Sequence, residues 1–213
     1  MKKDMGGAAH ALALAQLVMD AKLNARLDVF LPVVENAISA DAFRPGDIIK
    51  SRKGLTVEID NTDAEGRLIL ADALARACED QPALLLDFAT LTGAARTALG
   101  PDIPPFYSND DALAGEFAQA ANETSDPVWR MPLWDAYESE MESPIADLKN
   151  TGDGAFAGSI YGALFLRRFV DAPAWAHFDI FAWAPKEKPA RPAGGEAQAL
   201  RASWSVIKKR FAS

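Results

Sequence analysis

Two carboxylates and a guanidinium fall within five residues, at Asp63, Glu65 and Arg67. They lie inside the octapeptide Asn61-Thr62-Asp63-Ala64-Glu65-Gly66-Arg67-Leu68. Carboxylate oxygens bind divalent cations, and several together hold pairs of ions ~3.5–4 Å apart. Such a site polarises a carbonyl and generates hydroxide near neutral pH. A guanidinium beside it steadies a developing oxyanion or a small bicarbonate-like anion. The backbone N–H groups of Ala64, Gly66 and Leu91 are candidates to join that anion's cradle. Asp4, just before the first predicted helix, is a third acidic group at an element boundary.

The octapeptide has a second reading. Thr62 and Glu65 have the spacing of a helix capping box, and Asp63 would favour the positive end of the helix dipole. Arg67 fits this less well, because a cation in the first turn opposes the dipole. The two readings are compatible: Thr62 can cap while Glu65 turns to a cation.

Other chemistries lack their residues. There is no H-E-x-x-H, no G-x-S-x-G and no phosphate-cradling G-x-x-x-x-G-K-[ST], which leaves phosphoryl transfer on the same carboxylates without a loop to bind phosphate. His10 falls in an apolar helical pattern, where packing explains it. His177, between Ala176 and Phe178, reads as a solvent-facing or structural strand residue. The glycines of 149–158 read as a plain turn, and the five tryptophans as core or interface residues.

The elements that must position the acidic groups follow from periodicity. An Ala- and Leu-rich pattern predicts a buried helix over 6–22. Residues 27–34 are apolar enough for a buried strand, with Pro32 as its flaw. Residues 36–53 read as a loop. A strand over 55–60 leads into the octapeptide, and a helix follows over 68–80. The acidic pair is thus expected where a strand ends and a helix begins, a place where free N–H groups face a cleft. A strand over 83–89, the Thr90-Leu91-Thr92-Gly93 turn and a helix over 94–99 come next. Further helices are expected at 112–123, 135–142, 159–170 and 196–211, with a strand at 175–182 and a mobile Pro- and Gly-rich loop at 185–195. Strands alternate with helices and several are apolar throughout. The expected class is α/β: a mixed, largely buried sheet with helices on both faces, in one domain over residues 1–213.

Composition narrows the setting. The chain has 213 residues, 49% hydrophobic and 24% charged, which is ordinary for a globular domain. A net charge of −8 with scattered basic residues argues against a nucleic-acid surface, and Lys208, Lys209 and Arg210 read as a solvated last helical turn. No apolar run reaches the ~20 residues of a membrane span. Cys78, the only cysteine, reads as a small buried residue and fits a reducing compartment. A cytoplasmic location is expected.

Taken together, these motifs resemble the leucyl aminopeptidase family, the dinuclear-metal cytosol aminopeptidases. The octapeptide looks like that family's signature, residues 1–9 like its second motif, and residues 89–94 like its third. Residues 128–133 and 175–180 resemble later stretches of its catalytic domain, so the likeness runs through essentially the whole chain. The resemblance implies removal of the N-terminal residue from peptide substrates. It implies two divalent metal ions, zinc or manganese, with Asp4, Asp63 and Glu65 as ligands and Glu65 bridging. It makes Arg67 the catalytic residue that binds bicarbonate, assisted by the backbone of Ala64, Gly66 and Leu91. Met1, Asn61, Thr90 and Leu91 fall near the substrate. A homo-hexamer is implied for the parent enzyme.

In the family a Gly-Lys-Gly motif, a Phe-Asp-(Ser/Thr)-Gly-Gly motif and a catalytic lysine precede the second motif, after a separate N-terminal domain. The sequence opens after all of these, so a piece of a longer chain is expected. Without the upstream ligands, metal occupancy and activity are expected to be weak. An uncovered strand edge is expected to favour aggregation or altered assembly. The alternative is a non-catalytic remnant that acts as an assembly or binding module.

Overall fold

The computed structural model describes residues 2–212. Helix α1 (Gly6–Asp20) opens the fold. Strands β1 (Ile48–Lys50) and β2 (Thr56–Glu58) pair antiparallel, and β6 (Leu148–Lys149) lies parallel to β2 on its other side. A larger mixed sheet has the order β3-β7-β4-β5, from β3 (Leu85–Ala89), β7 (Trp175–Asp179), β4 (Pro105–Ser108) and β5 (Trp129–Arg130). Between these run α2 (Gly66–Cys78), α3 (Gly93–Leu99), α4 (Asp111–Thr124), α5 (Gly158–Arg167) and α6 (Leu200–Phe211).

The period-2 alternation of a strand sends successive side chains to opposite faces, and both faces of the larger sheet are covered. Phe88, Phe106 and Phe178 point to one side and form a core with α1, α4 and α6 through Leu14, Leu113, Phe117 and Val206. Trp175 points to the other, into a core with β2, α2 and α5 through Val57, Leu68, Leu164 and Phe165. All five residues of β7 are buried, as expected of a strand covered on both faces. The α/β class with helices on both faces is therefore as the sequence indicated.

Several expectations need correcting. Residues 27–34 form no strand: they are irregular, and all but Phe30 are exposed. Pro32 has no N–H to donate, and no strand among the described residues pairs with the segment. Residues 27–30 nevertheless line a groove of about 460 Å³ together with residues of β3, α1 and α2. The loop expected at 185–195 carries some pairing of its own. Gly194–Gly195 pairs with Trp183–Ala184, and Lys188 bridges Arg191. Residues 135–141 wind as a 3-10 helix. The last helix starts at Leu200 rather than 196, because Ala199 takes a left-handed conformation (φ 60°) and the Asp126 carboxylate accepts the N–H groups of Ala199, Arg201 and Ala202. Trp129 and Trp134 lie on the surface.

The start of α1 is seated unusually close to the sheet. A Cβ added at Gly7 would lie 2.1 Å from the carbonyl oxygen of Phe88, and one at Gly6 would lie 2.3 Å from the Cβ of Ala182. Glycine lets the helix backbone rest on β3 at position 7 and against Ala182 at position 6. His10, one turn on, is buried, donates from Nδ1 to Gly6 O (2.6 Å), accepts the Gln198 N–H at Nε2 (2.9 Å) and stacks on Phe88. It is a packed histidine, as expected.

Candidate functional site

The octapeptide occupies the junction between β2 and α2, as the hydrophobic patterning indicated. Asn61 and Asp63 are exposed, Glu65 is half-buried, and Ala64 and Arg67 are buried. The capping box does not form. Helix α2 begins one turn later than that box requires, with Glu65 as a cap residue that makes no side-chain capping bond. Thr62 instead offers its carbonyl to Asn36 Nδ2 (3.3 Å). Within the turn, Asp63 N–H donates to Asn61 Oδ1 (2.9 Å), and Ala64 N–H to Asn61 O (3.2 Å).

Arg67 is the least solvated charge of the site, at 8% exposure. Its Nη1 donates to the main-chain carbonyl of Asn150 (2.7 Å), its Nε has no partner among the described residues, and its guanidinium lies 6.0 Å from the Phe165 ring centroid. Burial pulls its pKa down to about 10, and the negative charges of Asp179 and Glu65 oppose that pull. A buried cation with an unused donor is a physical reason to expect an anion beside it.

Glu65 Oε2 accepts from Asn36 Nδ2 (2.9 Å), so the irregular segment before β1 already engages this carboxylate. Asp4 precedes α1. Its carboxylate pairs with Lys3 and accepts from Thr90 Oγ1 (3.4 Å). The Lys3 bond, chiefly, holds its pKa below the ordinary carboxylate value. Asp4 and Thr90 thus meet, as two of the residues singled out. Leu91 reaches the octapeptide from the other side: its methyl groups lie 3.8 Å from a Cβ built at Gly66 and 3.0 Å from one built at Gly162. Met1 lies outside the described residues.

The Thr90–Gly93 turn has its own clamp. The buried Asp179 carboxylate accepts Thr92 N–H (3.0 Å), Thr92 Oγ1 (2.6 Å) and Ser159 Oγ (2.9 Å), and Tyr107 OH donates to Ser159 (2.7 Å). Thr92 in turn caps α3 through Ala95 N–H. Burial first, and the nearby Asp179 charge, push the Tyr107 hydroxyl's pKa up. Beside this network, Asp87 binds Trp175 Nε1 (2.7 Å) and His177 Nδ1 (2.5 Å). His177 is wholly buried, so of its two anticipated roles the structural one holds.

Sequence reasoning missed Asn150, which is 0% exposed and touches the octapeptide at several points. It sat in a glycine-rich stretch that read as a plain turn. The only cue was the β-like Leu148–Lys149 just before it. Asp179 was visible inside an apolar strand pattern, where an unpaired acid is a signal in itself.

The family model "Cytosol aminopeptidase family, catalytic domain" matches residues 1–203. The chain belongs to the cytosol aminopeptidase family. A protein of Paraburkholderia phytofirmans named "Probable cytosol aminopeptidase" is 48% identical over 206 residues, which are 97% of this chain and 40% of that one. Among solved structures, the cytosol aminopeptidase of Coxiella burnetii superposes with a TM-score of 0.96 at 52% identity, covering 99% of this chain and 46% of that one. The bottromycin maturation enzyme BotP, in complex with Mn, gives 0.93 at 36% identity, covering 99% and 48%. Tomato leucine aminopeptidase gives 0.84 at 40% identity, covering 97% and 41%. The chain therefore spans about 40% of the length of the curated relatives it matches.

A catalytic divalent ion usually takes three or more protein donors. Among the described residues, no group of three or more His, Cys, Asp or Glu side chains lies close enough together to hold a metal ion. Asp4, Asp63 and Glu65 have the right donor chemistry, but by themselves they do not make a complete site in this family member. Among the described residues no helix is long and apolar enough to cross a membrane.

Proposed function

We propose that this aminopeptidase-family chain is part of a metallo-exopeptidase that removes the N-terminal residue from peptides. One observation carries the reading: the family's catalytic-domain model spans residues 1–203, with Asp63, Glu65 and Arg67 together at one strand-to-helix turn. In this reading the whole protein works in the cytoplasm as a homo-hexamer with two divalent ions, zinc or manganese, and bicarbonate. Residues 1–213 form a single domain. Asp4, Asp63 and Glu65 contribute carboxylate oxygens to the metal site, and further donors come from outside this set. Arg67 holds a small anion against the backbone of Ala64, Gly66 and Leu91. Its burial favours that role, because an anion would satisfy the unused Nε and offset the desolvation of the charge. Met1, Asn61, Thr90 and Leu91 border the substrate.

The isolated chain is expected to be weak or inactive, since three carboxylates that do not gather leave any ion under-coordinated. That same observation favours the second reading, a non-catalytic assembly or binding module. Calorimetric titration of the 213-residue chain with zinc and with manganese, alongside cleavage of a leucine anilide, tests both. Weak binding at one site with little cleavage is the expected result. Two tight sites with rapid cleavage would overturn the impairment. Binding of neither ion, even in the full-length parent, would remove the metallo-exopeptidase reading.

A further inference from the structure

Asn150 follows β6 directly, and β6 lies parallel to β2 with Glu58 opposite Lys149. That register carries residue 150 alongside the point where the chain leaves β2 for the octapeptide. Its N–H continues the ladder to Glu58 O (3.0 Å). Its side-chain amide then binds the turn at both ends. Oδ1 accepts the N–H groups of Asp60 (2.8 Å) and Asn61 (3.2 Å), while Nδ2 donates to the carbonyls of Asn61 (2.7 Å) and Ala64 (3.4 Å). Its main-chain carbonyl accepts Arg67 Nη1 (2.7 Å).

We infer that Asn150 is the positioning residue of this site. Its amide closes the turn that carries Asp63 and Glu65, and its carbonyl holds Arg67, so carboxylates and guanidinium keep one relative placement. This rests on the reading of those three residues as the working groups. Few other contacts share the job: among the described residues the turn's internal bonds come from Asp63 N–H and Ala64 N–H, Asn36 reaches Thr62 O and the Glu65 carboxylate from outside, and the tip is exposed. Working groups must stay within ~0.5 Å of their productive placement, which a loose turn does not provide. The chemistry of the position is narrow. The site needs an acceptor and a donor on one short side chain, which an amide supplies. Aspartate keeps the acceptor and sets a negative oxygen against two carbonyls, and alanine removes both halves. The Thr151 hydroxyl, which donates to the Asp60 carboxylate, ties the same two strands together beside it.

The test is residue-resolved amide hydrogen exchange by NMR on the 213-residue chain and two variants. In Asn150→Ala, Asp60 and Asn61 should exchange about tenfold faster or more, while Phe88 and Phe178 in the larger sheet stay within about twofold of native. Asn150→Asp should split the turn: Asp60 and Asn61 remain near native, and Asp63 and Ala64 speed up. The split ties each end of the turn to one half of the Asn150 amide, whereas general destabilisation speeds exchange at Phe88 and Phe178 as well. Unchanged exchange at Asp60 and Asn61 in the alanine variant would overturn the inference, as would equal loss at Phe88 and Phe178. Should the alanine variant not fold, the aspartate variant decides, and release of both ends or of neither end would overturn the inference. A manganese titration of the full-length parent separates the two readings: no binding there counts against the proposed function, while the exchange result still decides the role of Asn150.

Discussion

Gly7→Ala is the sharpest perturbation of the platform beneath the site. The added Cβ would sit 2.1 Å from Phe88 O, 2.9 Å from Phe88 C and 3.2 Å from Ala89 Cα, all of it backbone in β3. A carbon–oxygen contact settles near ~3.3 Å, so α1 must withdraw by about 1.2 Å. A gap of that size forfeits a quarter to a half or more of the dispersion energy between the facing surfaces. Those surfaces include His10, Leu14, Ala15 and Val18, and the shift strains the buried bond from Gln198 N–H to His10. Overpacking by one methyl costs ~1–3 kcal/mol in a close-packed core, and with the strained bond the sum is about 3 kcal/mol. For a chain of this length that lowers Tm by about 6–12 °C. The control is Gly115→Ala in α4, where nothing lies within 4 Å of the added atom. There the same change should stabilise the protein by roughly 0.5–1 kcal/mol, because alanine loses less backbone entropy in a helix. Urea unfolding followed by circular dichroism measures both. A Gly7→Ala variant within about 1 kcal/mol of native, or no less stable than Gly115→Ala, would refute the reasoning.

Two further perturbations probe the buried polar groups. Burial alone would lower the His177 pKa, but the Asp87 charge and hydrogen bond outweigh it and leave the value raised. The stability this pair contributes is therefore complete below about pH 6.5 and is lost as pH rises through the higher folded value. In Asp87→Asn the pH dependence of the urea midpoint over this window should flatten, with a loss of about 3 kcal/mol on its acid side. A native midpoint that climbs with pH across the window would contradict this. Asp126→Ala removes the acceptor for three N–H groups at the start of α6 and should cost about 2 kcal/mol, with Asp126→Asn recovering part. Exchange at Ala202 no faster in the alanine variant than in native protein would count against it.

Periodicity and spacing made the strand-to-helix placement of Asp63 and Glu65 legible, because β2 and α2 are patterned by local burial. The covered strands were equally legible from apolar runs such as 175–179. Residues 27–34 misled for the same reason: apolar composition does not say whether a partner strand lies alongside, and here none of the described strands pairs with it. The Thr62–Glu65 spacing also misled, since the main-chain turn closed by Asn150 delays the helix start past the capping position. Asn150 acts through tertiary bonds to residues 83–90 positions away, and Asp179 through bonds to Ser159 and Thr92, 20 and 87 positions away; no local pattern encodes such partners.

That separation also sets a clock on synthesis. Asp87 cannot meet His177 until 90 further residues have been added. At ~5–20 residues per second the wait is about 5–18 s, during which β3 has no neighbour on the side that β7 will fill. The octapeptide waits almost as long for Asn150, its partner in the finished turn. Whatever shields β3 on the ribosome during that wait bears on the yield of folded chain, and slowing translation between β3 and β7 would lengthen the interval in which it can be lost.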